Sequence, residues 1–490
     1  MRSVVFSLLP LLLLSYESLA VKFTIQRPPK STSRSSLRTP KASSNDNLIN
    51  KKDERYTVNI TISGRVVNVA LDTGSTDLWV KPPEGLPSFN DTTLNATLRY
   101  GDGTDFVSGD IGVGAFVLDQ YTIPFQAFLN VDDAADAEQP DFDDGIFGLW
   151  GLGFNTPGSS GVNDAVQTAF GTTATWGQSV LANIFAANQS GSDYIGIALS
   201  RTGDAAGTAD ASLTISEYDS DYQAVAKSPK ITQNPLNSGA WTVTLDGLSV
   251  GGKKIKWPST MAEAPAGKNI VHLDTGTTNI LMPAEQVAAI YSSIPGAVLS
   301  PDSQIPPTKF STTGDIWVVP CNASVNVVAS FGGQDFPIHD LDVTDMQVVT
   351  SPDRKRNFTV CIGAFTDVGA IVENESDALF GDSFLRNVYT VFDFGTGGNT
   401  KGNPFVQMLS TTDATKAHSD LVTVRSALMA SMPPEISPLD LVKIFNGTEK
   451  AGTQGAPASG GSDSRNGAWP STPSLSLATA ISFLAFISFF

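Results

Sequence analysis

The sequence of 490 residues has little of what metal, redox and nucleic-acid chemistry requires. It contains two cysteines and three histidines, and the histidines are scattered without the spacing of metal ligands. Lys and Arg number 31 against 49 Asp and Glu, which gives a net charge of −18. The glycine-rich segment 109–114 does not open a helix, so it does not predict a nucleotide loop. We therefore expect no metal, no cofactor and no nucleic-acid partner.

The charge is distributed unevenly. Residues 1–55 hold 10 basic and 4 acidic side chains, and the chain after residue 55 carries a net charge of −24. Such an acidic body is typical of a protein that works in acid, where protonation of carboxylates reduces self-repulsion. Residues 21–55 are polar and basic and have no apolar periodicity. They are either a disordered linker or, as we predict, a removable prosegment that lies against the acidic body.

Both ends resemble processing signals rather than parts of the fold. Residues 1–20 combine a positive start, an apolar stretch over Val4–Leu14 and a small-residue cleavage site at Ser18-Leu19-Ala20, which predicts a signal peptide. Residues 475–490 are uncharged and largely apolar, and small residues precede them, as in a glycolipid (GPI) anchor signal. A tail-anchored helix is the alternative. The Ser/Thr/Gly-rich residues 411–474 predict a stalk, with a short helix near Leu439–Phe445.

Sequons for N-glycosylation agree with the secretory route. The sites expected to be glycosylated are Asn90, Asn95, Asn188, Asn322, Asn357, Asn374 and Asn446. An eighth sequon, at Asn59, falls in an apparent strand and is a weaker candidate.

Between residues 56 and 410 the sequence is rich in turns and strand-like alternation, and it repeats itself. Asp72-Thr73-Gly74-Ser75 and Asp274-Thr275-Gly276-Thr277 each follow an apolar strand, 202 residues apart. Each copy is followed later by two apolar residues and a glycine, at 146–148 and at 379–381. This pattern predicts an all-β protein with two similar lobes, 56–195 and 196–410, whose repeated motifs meet in a central cleft.

The repeated motif has a clear chemical use. A strand ends in Asp, and the following Thr and Gly turn the backbone, so that each carboxylate is held rigidly. The hydroxyls of Thr73, Ser75, Thr275 and Thr277 are available to bond the carboxylates or to brace the loops. Two carboxylates about 3 Å apart cannot both ionise, since their repulsion is about 5 kcal/mol at an effective dielectric constant near 20. They share one proton in acid and can act together as base and acid. Glycoside hydrolysis is the alternative for paired carboxylates.

Residues 56–410 resemble the pepsin-like aspartic proteases, in particular the secreted, GPI-anchored fungal type. The similarity rests on the two Asp-Thr-Gly motifs, on Leu78-Trp79-Val80, on Tyr100-Gly101-Asp102-Gly103-Thr104, which resembles the tip of the family's flap, and on the closing segment 380–393. An Asp-Gly pair between strands also favours a hairpin turn. The resemblance implies a two-lobed, pepsin-like fold.

The resemblance also implies roles for individual residues. Asp72 and Asp274 become the catalytic pair, with Thr73, Gly74, Ser75, Thr275, Gly276 and Thr277 supporting their loops. Tyr100, Gly101 and Asp102 become the flap over the substrate, and Trp79 the hydrogen-bond partner of Tyr100. Asp102 is either only a turn former or an acceptor for a substrate Lys.

Two further sets of residues are expected near or behind the cleft. Strand alternation puts His272 on the same side as Asp274, so that His272 either lines the cleft or is a buried core histidine. Ala70, its counterpart in the first lobe, leaves room for substrate. Cys321 and Cys361 match the family's second-lobe disulfide, with free thiols as the alternative.

The sequence therefore predicts a secreted, monomeric aspartic endopeptidase that works at acidic pH. It would be made as a zymogen inhibited by its own prosegment and held at the cell surface or cell wall by a GPI anchor, which is its only membrane contact. Its substrates would be extended peptides or proteins, selected by apolar side chains beside the scissile bond. A catalytically silent binding protein, such as an inhibitor or an adhesin, is the alternative.

Overall fold

The computed structural model describes residues 22–24, 55–101, 103–188, 192–201, 211–305, 314–367, 376–395 and 402–447. The signal peptide, most of the prosegment, the anchor signal, Asp102 and Asn374 lie outside these ranges. Among the described residues no helix is both long and apolar enough to cross a membrane.

Strands dominate the described residues. In chain order they are β1 (Lys22–Thr24), β2 (Thr57–Ile62), β3 (Arg65–Asp72), β4 (Leu78–Val80), β5 (Asn90–Tyr100), β6 (Asp105–Leu118), β7 (Tyr121–Ala134), β8 (Gly148–Gly151), β9 (Tyr194–Ala198), β10 (Ser212–Ile215), β11 (Ile231–Thr232), β12 (Thr242–Leu245), β13 (Gly247–Val250), β14 (Lys253–Lys254), β15 (Asn269–Leu273), β16 (Ile280–Met282), β17 (Val298–Ser300), β18 (Ile316–Val319), β19 (Val327–Phe331), β20 (Gln334–Ile338), β21 (Thr344–Thr350), β22 (Asn357–Gly363), β23 (Phe365–Asp367), β24 (Ala378–Phe380), β25 (Val388–Asp393) and β26 (Phe405–Ser410).

The helices are short, apart from one near the end of the described chain. They are α1 (Gln139–Asp143), α2 (Gly161–Phe170), α3 (Val180–Ala187), α4 (Ala284–Tyr291), α5 (Asp340–Val343), α6 (Asp382–Leu385), α7 (Ala414–Met429) and α8 (Pro438–Asn446), with 3-10 turns at Asp136–Glu138, Thr175–Gly177 and Ser220–Lys227.

The sequence repeat corresponds to a repeat in sheet topology. In the seven-stranded sheet of the first half, five neighbouring strands have the order β2-β3-β8-β4-β7, and the five-stranded sheet of the second half has the order β12-β15-β24-β16-β23. The directions match as well, since β3 runs parallel to β8 and β15 runs parallel to β24. Each Asp-Thr-Gly turn follows the second strand of its set. The all-β, two-lobed prediction is confirmed.

Burial explains why the motif strands are so apolar. In β2, Val58, Ile60 and Ile62 point into the core while Asn59 is exposed, which is the alternation of a half-buried strand. β15 is buried along its whole length, because other elements cover both of its faces. The strand that leads into Asp274 is therefore fixed from both sides.

A six-stranded sheet combines segments from distant parts of the chain. Its order is β1-β10-β9-β25-β26-β11. β1 belongs to the predicted prosegment and pairs antiparallel with β10, Phe23 lying opposite Leu213. The backbone of the prosegment therefore adds a strand to the edge of this sheet.

Aromatic side chains join the two halves behind the cleft. Trp241, just before β12, is fully buried and donates a hydrogen bond from its indole N–H to the carbonyl of Leu152 (3.2 Å). Its ring lies 4.2 Å from that of Phe154 and 5.0 Å from that of Phe392, measured between centroids. Side chains of both halves thus form one continuous core beneath the catalytic loops.

The disulfide prediction is confirmed. Cys321 and Cys361 are bonded, with their Cα atoms 5.1 Å apart, and both are buried. Cys361 lies on β22, opposite Val319 of β18, so that the bond reinforces two strands that are already paired.

The predicted stalk does not begin at residue 411. Helix α7 buries Leu421 and Arg425, and the Arg425 guanidinium donates to the sulfur of Cys361 (2.9 Å) and to the carbonyl of Thr344 (2.6 Å). Helix α8 buries Leu441 in a cluster with strands β17, β18 and β22. Residues 411–447 are therefore part of the folded body, because their apolar side chains complete a core of the second half. The rest of the predicted stalk lies outside the described residues.

Candidate active site

The two Asp-Thr-Gly turns lie face to face. Gly74 sits so close to the opposite turn that a Cβ atom there would lie 2.6 Å from Oδ1 of Asp274. A Cβ atom at Gly276 would likewise overlap Oδ1 of Asp72. Both contacts are far shorter than packed atoms allow, so only glycine lets the loops approach this closely.

Threonine hydroxyls brace each turn on the other half. The hydroxyl of Thr73 donates to the carbonyl of Leu273 (3.0 Å) and accepts from the N–H of Thr275 (2.9 Å). The hydroxyl of Thr275 makes the reciprocal pair with the carbonyl of Leu71 (2.9 Å) and the N–H of Thr73 (3.1 Å). Four buried hydrogen bonds thus fix the distance between the two strand ends.

Each carboxylate is held by its own turn. Asp72 accepts from the N–H of Gly74 (2.8 Å) and from the hydroxyl of Ser75. Asp274 accepts from the N–H of Gly276 (2.7 Å) and from the hydroxyl of Thr277 (2.7 Å). The predicted support residues therefore divide into two roles: the first threonine of each motif bonds across to the other half, and the fourth residue bonds to the aspartate.

The two carboxyl groups are electrostatically coupled. Burial raises the pKa of the Asp72 carboxyl well above its ordinary value, and the charge of Asp274 and a hydrogen bond with it raise it further. The hydroxyl of Ser75 and the N–H of Gly74 act in the opposite direction. Both aspartates are less than one-tenth exposed. The pair therefore holds a proton at pH values at which an isolated Asp would be ionised.

A cavity of about 320 Å³ lies over the aspartates. Its lining consists of the paired motifs, the hairpin beside them and one acidic segment: Arg55, Ala70, Asp72, Gly74, Ser75, Trp79, Tyr100, Gly101, Asp105, Glu138, Asp141, Ile146, Gly148, Leu149, His272, Asp274, Gly276 and Leu379. A coupled carboxyl pair at the base of a cleft can activate water toward a carbonyl group.

Comparison with known proteins agrees with this geometry. A family model described as "Eukaryotic aspartyl protease" matches residues 55–399. The chain belongs to the eukaryotic aspartyl protease family. It is 28% identical to an aspartic protease of Phaffia rhodozyma over 69% of this chain and 74% of that protein. It is 26% identical both to aspergillopepsin-1 of Aspergillus clavatus and to penicillopepsin-3 of Penicillium janthinellum, over 70% of this chain and 76% of each relative.

The recognition of a pepsin-like aspartic protease of fungal type is thus confirmed, and so is the enzyme class. The aspartyl protease family and the named relatives support aspartic endopeptidase activity for this chain, an activity whose substrates are peptides. The alternative of a silent binding protein is not favoured. Among the described residues, no group of three or more His, Cys, Asp or Glu side chains is arranged to hold a metal ion.

The protease's flap is the hairpin between β5 and β6. Tyr100 pairs with Asp105 across it, and the turn is closed by a hydrogen bond from the N–H of Gly103 to the carbonyl of Tyr100 (2.9 Å). Gly101 and Gly103 both have positive φ (56° and 83°), as the tight turn requires. Tyr100 and Gly101 line the cavity. The predicted site residue Asp102 lies outside the described residues.

Burial raises the pKa of Tyr100 well above its ordinary value, and the charges of Asp72 and Asp77 raise it further, so the phenol stays neutral. The indole of Trp79 is close enough to lower that pKa slightly. Its Nε1 makes no hydrogen bond of standard geometry to any described residue, so the expected hydrogen bond between Trp79 and Tyr100 stays a prediction.

His272 and Ala70 occupy equivalent places in the two halves of the protease. Ala70 pairs with Leu149 across parallel strands, and His272 pairs with Leu379 in the same way. All four residues line the cavity. Of the two alternatives for His272, the structure places its side chain in the cleft wall, although the residue is only 7% exposed.

Several cleft residues were missed by the sequence reasoning. Leu379 is the first residue of the motif at 379–381, whereas Leu149 follows the motif at 146–148. Because Leu149 pairs with Ala70 as Leu379 pairs with His272, the repeat could have marked both residues only if the first copy had been placed at 149–151. Asp105, Glu138 and Asp141 lie on the first-half side, where apolar side chains were expected to determine the substrate. Arg55 is the last residue of the predicted prosegment, yet it lies in the cleft.

Proposed function

We propose that the chain is a secreted, cell-surface aspartic endopeptidase that hydrolyses peptide bonds at acidic pH. The observation that carries the proposal is the pair Asp72 and Asp274, coupled and buried in facing turns beneath a flap. The raised pKa of the Asp72 carboxyl keeps a proton on the pair in acid, and catalysis requires the state in which one carboxyl is protonated and the other is ionised.

The geometry supports a single mechanism. The ionised carboxylate removes a proton from a water molecule, whose oxygen attacks the carbonyl carbon of the scissile bond. The protonated carboxyl gives its proton to the carbonyl oxygen, and a tetrahedral diol forms. The diol then collapses: the C–N bond breaks, the amine nitrogen takes up the proton that the first carboxylate gained from water, and a diol hydroxyl returns a proton to the second carboxylate. The acid and amine products leave, and the singly protonated pair is restored. The N–H and hydroxyl donors of the two turns hold the carboxylates in place throughout.

A zymogen is supported by the position of the prosegment. Its residues 22–24 form a strand on the six-stranded sheet, and Arg55 at its end reaches into the cleft. A basic segment on an acidic body is also electrostatically favourable. We infer that the prosegment inhibits the enzyme until it is removed, and that the enzyme then acts as a monomer.

Secretion and anchoring are supported by the two terminal signals, both of which lie outside the described residues. The sequons add to this, since Asn90, Asn95, Asn322 and Asn357 are exposed and available for glycosylation. Asn188 is half-buried, and Asn374 is not described. Asn446 is a poor site, because its amide nitrogen donates to the carbonyl of Pro301 (2.7 Å).

Peptide cleavage measured against pH tests the proposal. The protein would run from Val21 to Gly467 and be freed of its prosegment by an added protease, and its Asp72→Asn and Asp274→Asn variants would be treated and assayed in the same way. We expect cleavage below about pH 6 that both substitutions abolish, because neither variant can form the singly protonated pair. Asp143→Asn, which removes an exposed carboxylate outside the cleft, is the matched control and should cleave normally.

If folded protein freed of its prosegment cleaves no peptide at any pH between 3 and 7, the cleft is a binding site and the enzyme proposal is wrong. Activity that survives either Asp→Asn substitution would disprove the coupled-pair mechanism.

A further inference from the structure

A buried cation lies against the disulfide of the second half. Arg425 of α7 is 5% exposed, and its Nη1 donates to Sγ of Cys361 (2.9 Å). Its Nη2 donates to the carbonyl (2.6 Å) and to the hydroxyl (3.0 Å) of Thr344. None of these three acceptors is a carboxylate. Within the part of the chain that the structure describes, the guanidinium therefore bonds only to neutral groups.

This surrounding is unfavourable for a charged group. Burial lowers the pKa of Arg425 to about 10, although the charges of Asp345 and Glu435 act in the opposite direction. A buried charge is stabilised best by an opposite charge in direct contact with it. A disulfide sulfur has no net charge, whereas a thiolate at Cys361 would place a negative charge beside the guanidinium. Arg425 therefore favours the reduced form of this cysteine.

The two sulfur atoms have opposite electrostatic surroundings. Cys361 faces the guanidinium of Arg425, whereas the backbone N–H of Cys321 donates to Oε1 of Glu435 (2.8 Å). A cation beside a cysteine favours its thiolate, and an anion disfavours it. When the S–S bond breaks, the electron pair is therefore more stable on Cys361 than on Cys321.

Both charged residues belong to the C-terminal segment. Arg425 lies on α7, and Glu435 lies between α7 and α8, where the hydroxyl of Thr359 on β22 donates to the carbonyl of Pro433 (2.6 Å). This segment lies beyond residue 399, at which the match to the family model ends. The charges around the disulfide are thus supplied by a part of the chain that the family match does not include.

We propose that the Cys321–Cys361 disulfide is a site of thiol–disulfide exchange with dithiols, in which Cys361 is the leaving sulfur and Arg425 stabilises it as a thiolate. A thiolate of the dithiol attacks Sγ of Cys321, the S–S bond breaks, and the electron pair stays on Sγ of Cys361. The second sulfur of the dithiol then displaces Cys321.

The balance of the exchange is simple. The dithiol is oxidised to a disulfide, and the protein takes up two electrons. Of the two protons of the dithiol, one passes to Cys321 and the other is released to water, because Cys361 remains a thiolate. The ion pair with Arg425 then replaces the neutral contact, so α7 stays in place and the exchange is reversible within the folded protein. This inference does not depend on the proposed function.

The equilibrium with dithiothreitol, measured against pH, tests the proposal. The protein from Val21 to Gly467 is equilibrated with mixtures of reduced and oxidised dithiothreitol at pH 6, 7 and 8. The exchange is stopped with acid, and mass spectrometry gives the reduced fraction. Because one proton is released, the equilibrium constant for reduction should rise about tenfold per pH unit, since ordinary thiols stay largely protonated below pH 8. The ultraviolet absorbance of the thiolate should be present in the reduced protein at pH 6.

Substitutions of Arg425 separate this role from a structural one. Arg425→Met removes the charge and should make the equilibrium constant nearly independent of pH. At pH 7 it should lower that constant at least tenfold, which corresponds to about 30 mV. Arg425→Lys keeps the charge and should restore the dependence on pH. Lys416→Met removes an exposed cation from the same helix and is the matched control, which should behave like the unsubstituted protein.

Glu435→Gln tests the same electrostatic field without changing the core. Glutamine can still accept the hydrogen bond from the N–H of Cys321, but it removes the negative charge that opposes a thiolate. We expect the equilibrium constant for reduction to rise severalfold. This variant keeps the proposal testable if Arg425→Met does not fold.

Other results would overturn the proposal. If the equilibrium constant of the unsubstituted protein is the same at pH 6 and pH 8, both cysteines are protonated thiols after reduction. If Arg425→Met lowers the melting temperature and leaves the tenfold rise per pH unit unchanged, Arg425 only holds α7 against Thr344. A Glu435→Gln protein with an unchanged or lower equilibrium constant would likewise show that these charges do not control the exchange.

Discussion

At the scale of single residues, the catalytic pair depends on hydroxyl groups that reach from one half of the protein to the other. Thr73 and Thr275 each satisfy a buried carbonyl and a buried N–H of the opposite strand end. Removing one hydroxyl leaves two backbone groups buried without a partner, and each such group costs about 1–3 kcal/mol. The same contacts position the carboxylates, so stability and catalysis are linked at these two residues.

Thr73→Val and Thr275→Val are therefore expected to lower the free energy of unfolding by about 2 kcal/mol or more each. The double variant should lose less than the sum, because the loss of one hydroxyl already lets the two strand ends move apart, so that water can reach the groups that the second substitution leaves unpaired. Denaturant unfolding of the unsubstituted protein, the two single variants and the double variant measures this coupling. Thr76→Val combined with Thr275→Val is the control, since the Thr76 hydroxyl bonds the carbonyl of Phe154 and shares no partner with Thr275. Additive losses in the Thr73 and Thr275 cycle would contradict the reciprocal bracing.

At the scale of elements, helices α7 and α8 lie beyond residue 399, where the family match ends, and yet they are part of the folded body. Arg425 of α7 is buried against the disulfide, and burial lowers its pKa to about 10. Leu441 of α8 packs in the buried apolar cluster formed by β17, β18 and β22. The helices therefore cover apolar surface that strands alone would leave in water.

A chain that ends at Gly447 should keep the melting temperature of the longer protein, whereas a chain that ends at Ser410 should lose several degrees or fail to fold. The reason is the exposure of the β17–β18–β22 cluster, since each fully buried Leu or Val is worth about 1.5–3 kcal/mol. Calorimetry of the two truncated proteins measures the difference. Equal melting temperatures would show that residues 411–447 are a stalk after all.

The elements also show what the sequence could and could not predict. The repeat predicted the facing turns because Asp-Thr-Gly is a local signal whose backbone geometry is fixed by three residues. The C-terminal helices were mostly missed because Ser, Thr and Ala dominate α7, and its apolar stripe is thin. Ser437 and Pro438 form a helix-start signal, so α8 was easier to predict from the sequence than α7. Arg55 was missed as a cleft residue because its contacts, to Asp141 and Gly276, lie 86 and 221 residues away.

At the scale of the whole molecule, buried carboxyl groups with raised pKa values make the stability of the fold depend on pH. Burial raises the pKa of Asp77 to about 6, against the hydrogen bonds that it accepts from Ser160, Gly161 and Val162. Burial raises the pKa values of Asp72 and Glu138 as well. A raised folded-state pKa gives stability that is complete below the unfolded-state pKa and is lost as pH rises through the folded-state value.

One buried carboxyl acts in the opposite direction. Burial would raise the pKa of Asp342, but Arg201 and Arg386, each 2.6 Å away, outweigh it and lower that pKa. Its stabilisation is present above the ordinary pKa of Asp and is lost as pH falls through the lowered value. The two effects together predict a stability maximum in moderate acid.

The melting temperature should therefore fall between about pH 4 and pH 7, as Asp77, with a pKa of about 6, and Glu138, with a pKa of about 7, lose protons inside the fold. Asp77→Asn should make this decline shallower, because a shift of about 2 units corresponds to at most about 3 kcal/mol. Asp143→Asn removes the same charge from an exposed position, so it separates burial from the general repulsion within the acidic body. Thermal unfolding of the unsubstituted protein, Asp77→Asn and Asp143→Asn across this pH range measures how steeply each melting temperature falls with pH. A melting temperature that rises with pH, or equal slopes for Asp77→Asn and Asp143→Asn, would mean that buried carboxyl groups do not set the acid preference of this fold.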